Sequence, residues 1–274
     1  MPTAAFGETP PKSYVGGEIL KNMYLYVYDA FVQDHRYEKE IQKVENRLTD
    51  LGIAGKIVRL GLFRRADEFI RDEVERGGAT TVVAVGNDTT VRQVIDVVVD
   101  TKVVLGIIPF GSDNQIATLL GLPEGEAACD VLSARIVENI DVGVVNGKRF
   151  IRSVSIPAAK AEINCEGNYK VTPQGRGTIE VRNLFVPSEG ERGLISNPLD
   201  GRLEAVLQIA TKSGGLSFWK KIHGESVLPL KSLEVRTQET VSAFMDGVLI
   251  EGTRFDFSVE SKVLKVVTGK GRMF

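Results

Sequence analysis

Two apolar runs that each end in a polar turn constrain this fold more than any other feature of the sequence. Residues 80–85 are mostly β-branched and run into the turn GNDTT at 86–90, which leads into a helical pattern over 91–99. Residues 103–108 repeat the arrangement before the turn PFGSDN at 109–114. Parallel strands joined through helices bring such turns together at the carboxyl edge of a sheet. The pattern therefore predicts one ligand site built from both turns.

The first part of the chain has the alternation of strands and helices that is typical of a doubly wound α/β domain. Apolar residues recur at helical spacing over 41–51 and again over 66–74, where Gly77 and Gly78 then stop the helix. We predict an α/β nucleotide-binding domain over residues 21–145, with strands at 24–28, 56–60, 80–85 and 103–108.

After Val145 the helical period disappears and short β-branched segments follow, separated by Gly and Pro. The turn signal Asn146-Gly147 marks the boundary of a mostly antiparallel β domain over 146–274, with the active-site cleft expected between the two domains. We predict its strands at 149–156, 160–165, 177–186, 203–210, 228–236, 240–245, 254–259 and 263–268. Residues 1–20, rich in Pro and Gly, are interpreted as a flexible leader.

Composition excludes several classes of function. The chain has 36 acidic and 34 basic residues, so no overall positive field favours nucleic acid as a partner. Two cysteines and two histidines are too few for a structural zinc site and fit a reducing compartment. No run approaches 18 apolar residues. We expect a cytoplasmic protein, with peripheral contact to a membrane left open.

The turn at 86–90 has the chemistry of an anion site. A helix that starts just after a strand directs its free N–H groups at whatever lies above the sheet. The carboxylate of Asp88 could hold Mg²⁺ or a ribose hydroxyl there. Alternatively, Asp88, Thr89 or Thr90 would simply cap the helix that follows.

Both turns resemble those of the lipid kinase family that includes diacylglycerol and sphingosine kinases, and more distantly those of NAD kinases. In that family the first turn is Gly-Gly-Asp-Gly-Thr and the second is Pro-x-Gly-Thr-x-Asn-x-x-Ala. In the second turn Ser112 stands for Thr, and the matching residues are Pro109, Gly111, Asn114 and Ala117. Asp200-Gly201, Asp246-Gly247 and the run 263–267 also resemble family segments, in the family's order.

The resemblance implies an ATP-dependent kinase that uses Mg²⁺ to phosphorylate a hydroxyl, for example of diacylglycerol, with a nucleotide and a membrane lipid as partners. It makes Asp246 the candidate general base and Asp88 the metal ligand, although Asp-Gly is also a common hairpin turn. Whether the chain forms a homodimer is left open. The residues that it assigns to nucleotide binding are Gly86, Asn87, Asp88, Thr89, Thr90, Gly111, Ser112 and Asn114.

The sequence also departs from the family. Asn87 and Thr89 replace two glycines, which predicts a loop that bends differently or binds phosphate less closely, and Val248 replaces the Glu expected after Asp246-Gly247. The family's turn after the first strand is absent, as are the helices that enclose the lipid, here replaced by a short stretch between 156 and 177. Three functions stay open: an active lipid kinase, a catalytically inactive nucleotide sensor or scaffold, and an NAD kinase-like enzyme.

Overall fold

The computed structural model describes residues 23–61, 66–158, 160–173, 176–186, 195–211 and 222–274. The predicted leader over 1–20 lies outside these residues, and so does the aromatic and basic stretch around Trp219. Within the described residues no helix is both long enough and apolar enough to cross a bilayer.

The first part of the chain forms the predicted α/β domain. Four parallel strands lie in the order β2-β1-β3-β4, so the two predicted turns follow neighbouring strands. Two helices that the sequence analysis did not predict, α4 and α5, follow β4. The elements are β1 (Tyr24–Tyr28), α1 (Glu38–Asp50), β2 (Lys56–Arg59), α2 (Ala66–Glu75), β3 (Thr81–Gly86), α3 (Asp88–Thr101), β4 (Val104–Pro109), α4 (Gln115–Leu119) and α5 (Glu126–Ala134).

Alternation along the strands directs side chains to two separate cores. Tyr24, Tyr26 and Tyr28 pack on one face with the buried stripe of α1, including Val44 and Leu48. Leu25 and Val27 face the opposite layer, where α2 and α3 cover the sheet. Helices therefore cover both faces and leave the carboxyl edge of the strands for a ligand.

After α5 the described residues form mostly antiparallel β structure that continues the same sheet. The order runs β12-β11-β10-β7-β13-β14 and then joins the α/β domain through β4. The strands are β5 (Val137–Val145), β6 (Lys148–Phe150), β7 (Ser153–Pro157), β8 (Ala161–Cys165), β9 (Tyr169–Val171), β10 (Arg176–Arg182), β11 (Leu203–Thr211), β12 (Ile222–Leu230), β13 (Ser232–Met245) and β14 (Val248–Val267).

Several predicted strand limits were wrong. The run 149–156 is two strands, because the chain bends at Ile151 and Arg152, and the run 228–236 is broken after Leu230. The runs 254–259 and 263–268 are one strand instead, interrupted by a register shift where Lys262 adopts a left-handed conformation. β5 was not predicted as a strand and pairs with β14.

β14 couples the two parts of the sheet. Its first half pairs with β13, and its last residues pair with β5 on one side and with β4 on the other. The turn Asp246-Gly247 precedes β14 directly, with the positive φ angles of 46° and 82° that a tight hairpin requires. The position of this turn relative to β4 is thus fixed by continuous strand pairing.

The contact between Gly143 and Phe150 tests the packing where β5 meets β6. A Cβ added at Gly143 would lie 2.2 Å from the ring of Phe150, its cross-strand neighbour. Because the ring is fully buried and has no room to move, we expect Gly143→Ala to lower the free energy of unfolding by about 1–3 kcal/mol in urea denaturation. Gly271→Ala, which would meet no atom within 4 Å, is the control. Equal midpoints for both variants would contradict this packing.

Candidate functional site

The structure brings the two predicted turns together around Asp88. The Asp88 amide donates to the carbonyl of Asp113 at 3.0 Å. Its carboxylate accepts hydrogen bonds from the amides of Gln115 and Ile116, both at 3.1 Å, and so caps α4. Asp88 thus lies at the junction of the turn after β3 and the turn after β4.

Asn87 caps α3 and engages the amides that would otherwise be free to bind an anion. Its side-chain oxygen accepts from the Thr89 amide at 3.1 Å and also from the Thr90 amide. In return, the Thr90 hydroxyl accepts from the Asn87 amide at 3.1 Å and donates to Asp29 at 2.7 Å. The capping alternative is therefore confirmed for Thr90, which completes a capping box, whereas the N-cap residue itself is Asn87.

The two residues that replace family glycines are not strained. Asn87 has an extended conformation with φ −116°, and Thr89 is part of α3. Neither position needs a left-handed backbone, because the helix here starts directly after the strand. Gly86 is the position that needs a glycine, since a Cβ there would lie 2.1 Å from the Thr90 hydroxyl oxygen.

The second turn is braced by its own side chains. The Asn114 amide group donates to the Gly111 carbonyl at 2.9 Å, and the Ser112 hydroxyl donates to Asp113 at 3.1 Å. Gly111 has φ +73°, and a Cβ there would lie 3.0 Å from the ring of Phe31. Gly111 and Ser112 are exposed, so the turn presents its backbone to solvent at the edge of the sheet.

A small crevice opens beside this second turn. It has a volume of about 240 Å³ and is lined by the turn, by α1 and by the start of α5. Lys43 and three carboxylates stand around an apolar wall that includes Phe110. Carboxylates beside an aromatic wall can accept hydrogen bonds from an amino group or from a ribose hydroxyl.

Asp246 is buried and anchors the bend between β6 and β7. Its carboxylate accepts hydrogen bonds from the amides of Ile151 at 2.7 Å, Arg152 at 2.9 Å and Ser153 at 3.1 Å. The hairpin interpretation of Asp246-Gly247 accounts for the backbone, but no sequence pattern indicated this anchoring. The role of Asp246 as general base stays a prediction, and both of its oxygens are engaged.

Asp200-Gly201 forms a turn, as the simpler interpretation expected. The Asp200 carboxylate accepts from the Arg202 amide at 2.9 Å, and the Gly201 amide donates to Asp141 at 2.6 Å. Asp141 is fully buried and also accepts from the Lys262 amide at 2.7 Å, which holds the irregular part of β14. Sequence reasoning missed Asp141, because its partners lie far away along the chain.

Arg152 is the second residue that sequence reasoning missed. One guanidinium nitrogen lies 3.7 Å from the Asp88 carboxylate, and the side chain is 19% exposed. Its Nε is buried and has no hydrogen-bond partner among the residues that the structure describes. Arg152 therefore places a positive charge beside the junction of the two turns.

Burial and charge shift the acidity of both carboxyls. Burial raises the pKa of Asp88 to about 6, an effect that the Ile116 amide and Arg152 oppose and that the charge of Asp246 increases. Burial also raises the pKa of Asp246, against the three amides that it accepts. The influence of Asp246 on Asp88 shows that the two carboxyls are electrostatically coupled across the site.

The donor set does not fit a magnesium site of the chain's own. Both oxygens of Asp88 accept amides and one also faces Arg152, so a positive charge already lies beside the carboxylate where a metal would bind. No group of three or more metal-ligating side chains occurs within the described ranges, and Val248 occupies the place of the family's Glu. The assignment of Mg²⁺ to Asp88 is therefore not supported by the geometry.

Comparison with known proteins agrees with this fold. Residues 25–145 match the family model for the diacylglycerol kinase catalytic domain. A diacylglycerol kinase of Bacillus subtilis is 35% identical over 74 residues, which are 26% of this chain and 24% of that one. A diacylglycerol kinase of Mycobacterium tuberculosis is 31% identical over 105 residues, which are 36% of this chain and 34% of that one.

Likeness of structure extends further than likeness of sequence. The crystal structure of a diacylglycerol kinase from Bacillus anthracis superposes with a TM-score of 0.71 at 16% identity, over 92% of this chain and 98% of that one. The fold is thus that of the bacterial diacylglycerol kinases. Residues 25–145, which are less than half of the chain, are thus similar to the diacylglycerol kinase catalytic domain, and the sequence alignments span only a quarter to a third of the curated relatives' length.

The raised pKa of Asp88 predicts how stability depends on pH. The folded chain binds this proton more tightly than the unfolded chain, whose pKa is near 3.8. The contribution of this proton to the free energy of unfolding is fully present below about pH 4 and is lost as the pH rises through about 6. Asn cannot titrate. Between about pH 4 and about pH 6 the free energy of unfolding of Asp88→Asn should therefore rise relative to that of the wild type by on the order of 2–3 kcal/mol.

Urea denaturation at several pH values measures this difference. Asp67→Asn, at an exposed position of α2, is the control and should differ from the wild type by a constant amount. A constant difference for Asp88→Asn as well would show that the Asp88 carboxyl is not perturbed.

Proposed function

We propose that this chain binds ATP at the shared edge of the two turns and transfers its γ-phosphate to a hydroxyl of a lipid such as diacylglycerol. The observation that carries the proposal is that α3 begins at this edge, with Asp88 and Arg152 beside its first turn. The match of residues 25–145 to the diacylglycerol kinase catalytic-domain model supports a kinase. The crevice beside Gly111 has the size and polarity to accept a nucleoside.

The Asn87 cap is a weak obstacle to a phosphate. An N-cap side chain stabilises a helix by about 0.5–2 kcal/mol. Each charge-assisted hydrogen bond from a backbone amide to a phosphate oxygen is worth about 1.5–3 kcal/mol. Phosphate can therefore displace the Asn87 side chain from the amides of Thr89 and Thr90 with a net gain.

Phosphoryl transfer needs alignment and charge neutralisation more than covalent assistance. In the proposed reaction the lipid hydroxyl attacks the γ-phosphorus, the bond from phosphorus to the bridging oxygen breaks, and ADP leaves. Amides of α3 hold phosphate oxygens and Arg152 offsets their charge. The hydroxyl proton passes to a carboxylate, for which Asp88 is placed at the junction with a pKa of about 6, and Asp246 is the alternative.

A second function is a nucleotide-binding protein without turnover. The engaged oxygens of Asp88 and Asp246 and the absence of the family's Glu at position 248 favour it. A protein of this kind would keep the phosphate site but would have no carboxylate free to accept the hydroxyl proton.

Two measurements separate these functions. Calorimetry with ADP tests binding, and radiolabelled ATP with vesicles that contain diacylglycerol tests transfer into the lipid extract. Label in the lipid supports the kinase, and its loss in Asp88→Asn supports the assigned role. Binding without transfer supports the second function. No binding contradicts both.

The cap also predicts the effect of restoring a glycine. Gly at an N-cap costs only a few tenths of a kcal/mol, and Asn87→Gly leaves the amides of Thr89 and Thr90 without their side-chain partner. We expect ADP to bind about fivefold more tightly, since a phosphate no longer displaces a side chain worth about 1 kcal/mol.

Thr89→Gly is the matched control, because Thr89 is exposed and its side chain takes no part in the cap. It should lower helix stability and leave the ADP affinity within about twofold of the wild type. Equal ADP affinity in Asn87→Gly and the wild type would show that phosphate does not compete with the cap.

A further inference from the structure

Arg152 is held in place by its backbone on two sides. Its amide donates to Asp246 at 2.9 Å, and its carbonyl accepts from the amide of Asn183 at 2.8 Å. The side chain leaves this fixed point toward Asp88. Its position is therefore determined by the fold and not by a flexible surface loop.

The two buried carboxyls near Arg152 are stabilised in their charged form by a cation at this place. Asp88 and Asp246 are both more than nine-tenths buried, and the charge of Asp246 makes Asp88 harder to ionise. The Arg152 guanidinium, 3.7 Å from Asp88, favours the charged form of both carboxyls. In many phosphoryl-transfer sites a divalent cation bound to carboxylates has this task.

The guanidinium also has unused hydrogen-bonding capacity. It has five N–H donors, of which the structure shows one long contact to Asp88, and the buried Nε lacks a partner among the described residues. A buried donor without a partner costs about 1–3 kcal/mol. A phosphate oxygen would satisfy this donor, and Arg recognises phosphate through paired donors.

We propose that Arg152 is the resident cation of this site, neutralising Asp88 and Asp246 where a protein-bound metal would otherwise be needed, and that its free donors contact a nucleotide phosphate. The first half of this proposal, charge neutralisation by Arg152, stands on the geometry of the site. The second half, contact with a nucleotide phosphate, rests on the proposed function. Arg152 is then a charge-neutralising and phosphate-binding residue, and the protein itself ligates no divalent cation here.

Titration of the nucleotide-free chain with Mn²⁺, followed by electron paramagnetic resonance, tests the first half. The wild type and Arg152→Lys should bind no Mn²⁺ at this site up to millimolar concentration, because the positive charge is kept. Arg152→Met should bind one Mn²⁺ with a dissociation constant at least about tenfold below that millimolar limit, and adding Asp88→Asn should abolish this binding.

Two results of the Mn²⁺ titration would overturn the first half. One is wild-type binding of Mn²⁺ that Asp88→Asn removes. The other is a folded Arg152→Met chain, judged by circular dichroism, that gains no Mn²⁺ binding. If Arg152→Met does not fold, the comparison of the wild type with Arg152→Lys still decides, because binding to both would contradict the proposal.

Calorimetry with ADP, once in EDTA and once in Mg²⁺, tests the second half. The wild type should show affinities within about twofold of each other. Arg152→Met should bind at least tenfold more weakly in EDTA and recover in part with Mg²⁺. Arg76→Met, at an exposed position just after α2, should match the wild type.

The two halves can fail separately. Absence of ADP binding to the wild type in both buffers would contradict the proposed function and the phosphate contact, and the Mn²⁺ titration would still decide the first half. Wild-type affinity that disappears in EDTA would overturn the phosphate role of Arg152 and leave nucleotide binding intact.

Discussion

Three backbone amides converge on the buried carboxylate of Asp246, and the geometry of the site depends on this interaction. Each unpaired buried amide would cost about 1–3 kcal/mol, so the carboxylate fixes the bend between β6 and β7. That bend points Arg152 toward Asp88. Since β14 starts beside Asp246 and pairs with β4, the same interaction sets the β region against the turns of the α/β domain.

Most polar side chains at the site pair with other groups of the protein. Asp88 caps α4 and faces Arg152, Asn87 caps α3, and Asn114 braces the second turn. Apart from the Arg152 Nε, these groups have partners without a ligand, and the cap that a phosphate would displace is worth only about 0.5–2 kcal/mol. The altered glycine positions therefore change which groups occupy the phosphate site and do not distort the backbone that forms it.

Much of the fold could be predicted because its signals are local. The apolar runs before the two turns and the helical stripe that includes Val44 and Leu48 reflect periodic burial, which a sequence shows directly. β14 was divided in two because Lys262 interrupts its alternation. The contacts of Asp141, Arg152 and Asp246 join segments far apart in sequence, so no local pattern could indicate them. The cap by Asn87 is a local contact that could have been predicted. It was not, because Asn87 was interpreted only as the replacement of a family glycine.

A crystal structure of the chain with ADP tests the central claim most directly, namely that phosphate replaces the Asn87 side chain at the start of α3. The account predicts a β-phosphate oxygen within hydrogen-bond distance of the amides of Thr89 and Thr90, with the Asn87 side chain turned away and the Arg152 guanidinium in contact with the phosphate. An ADP bound elsewhere, or bound here with the Asn87 cap intact, would contradict it.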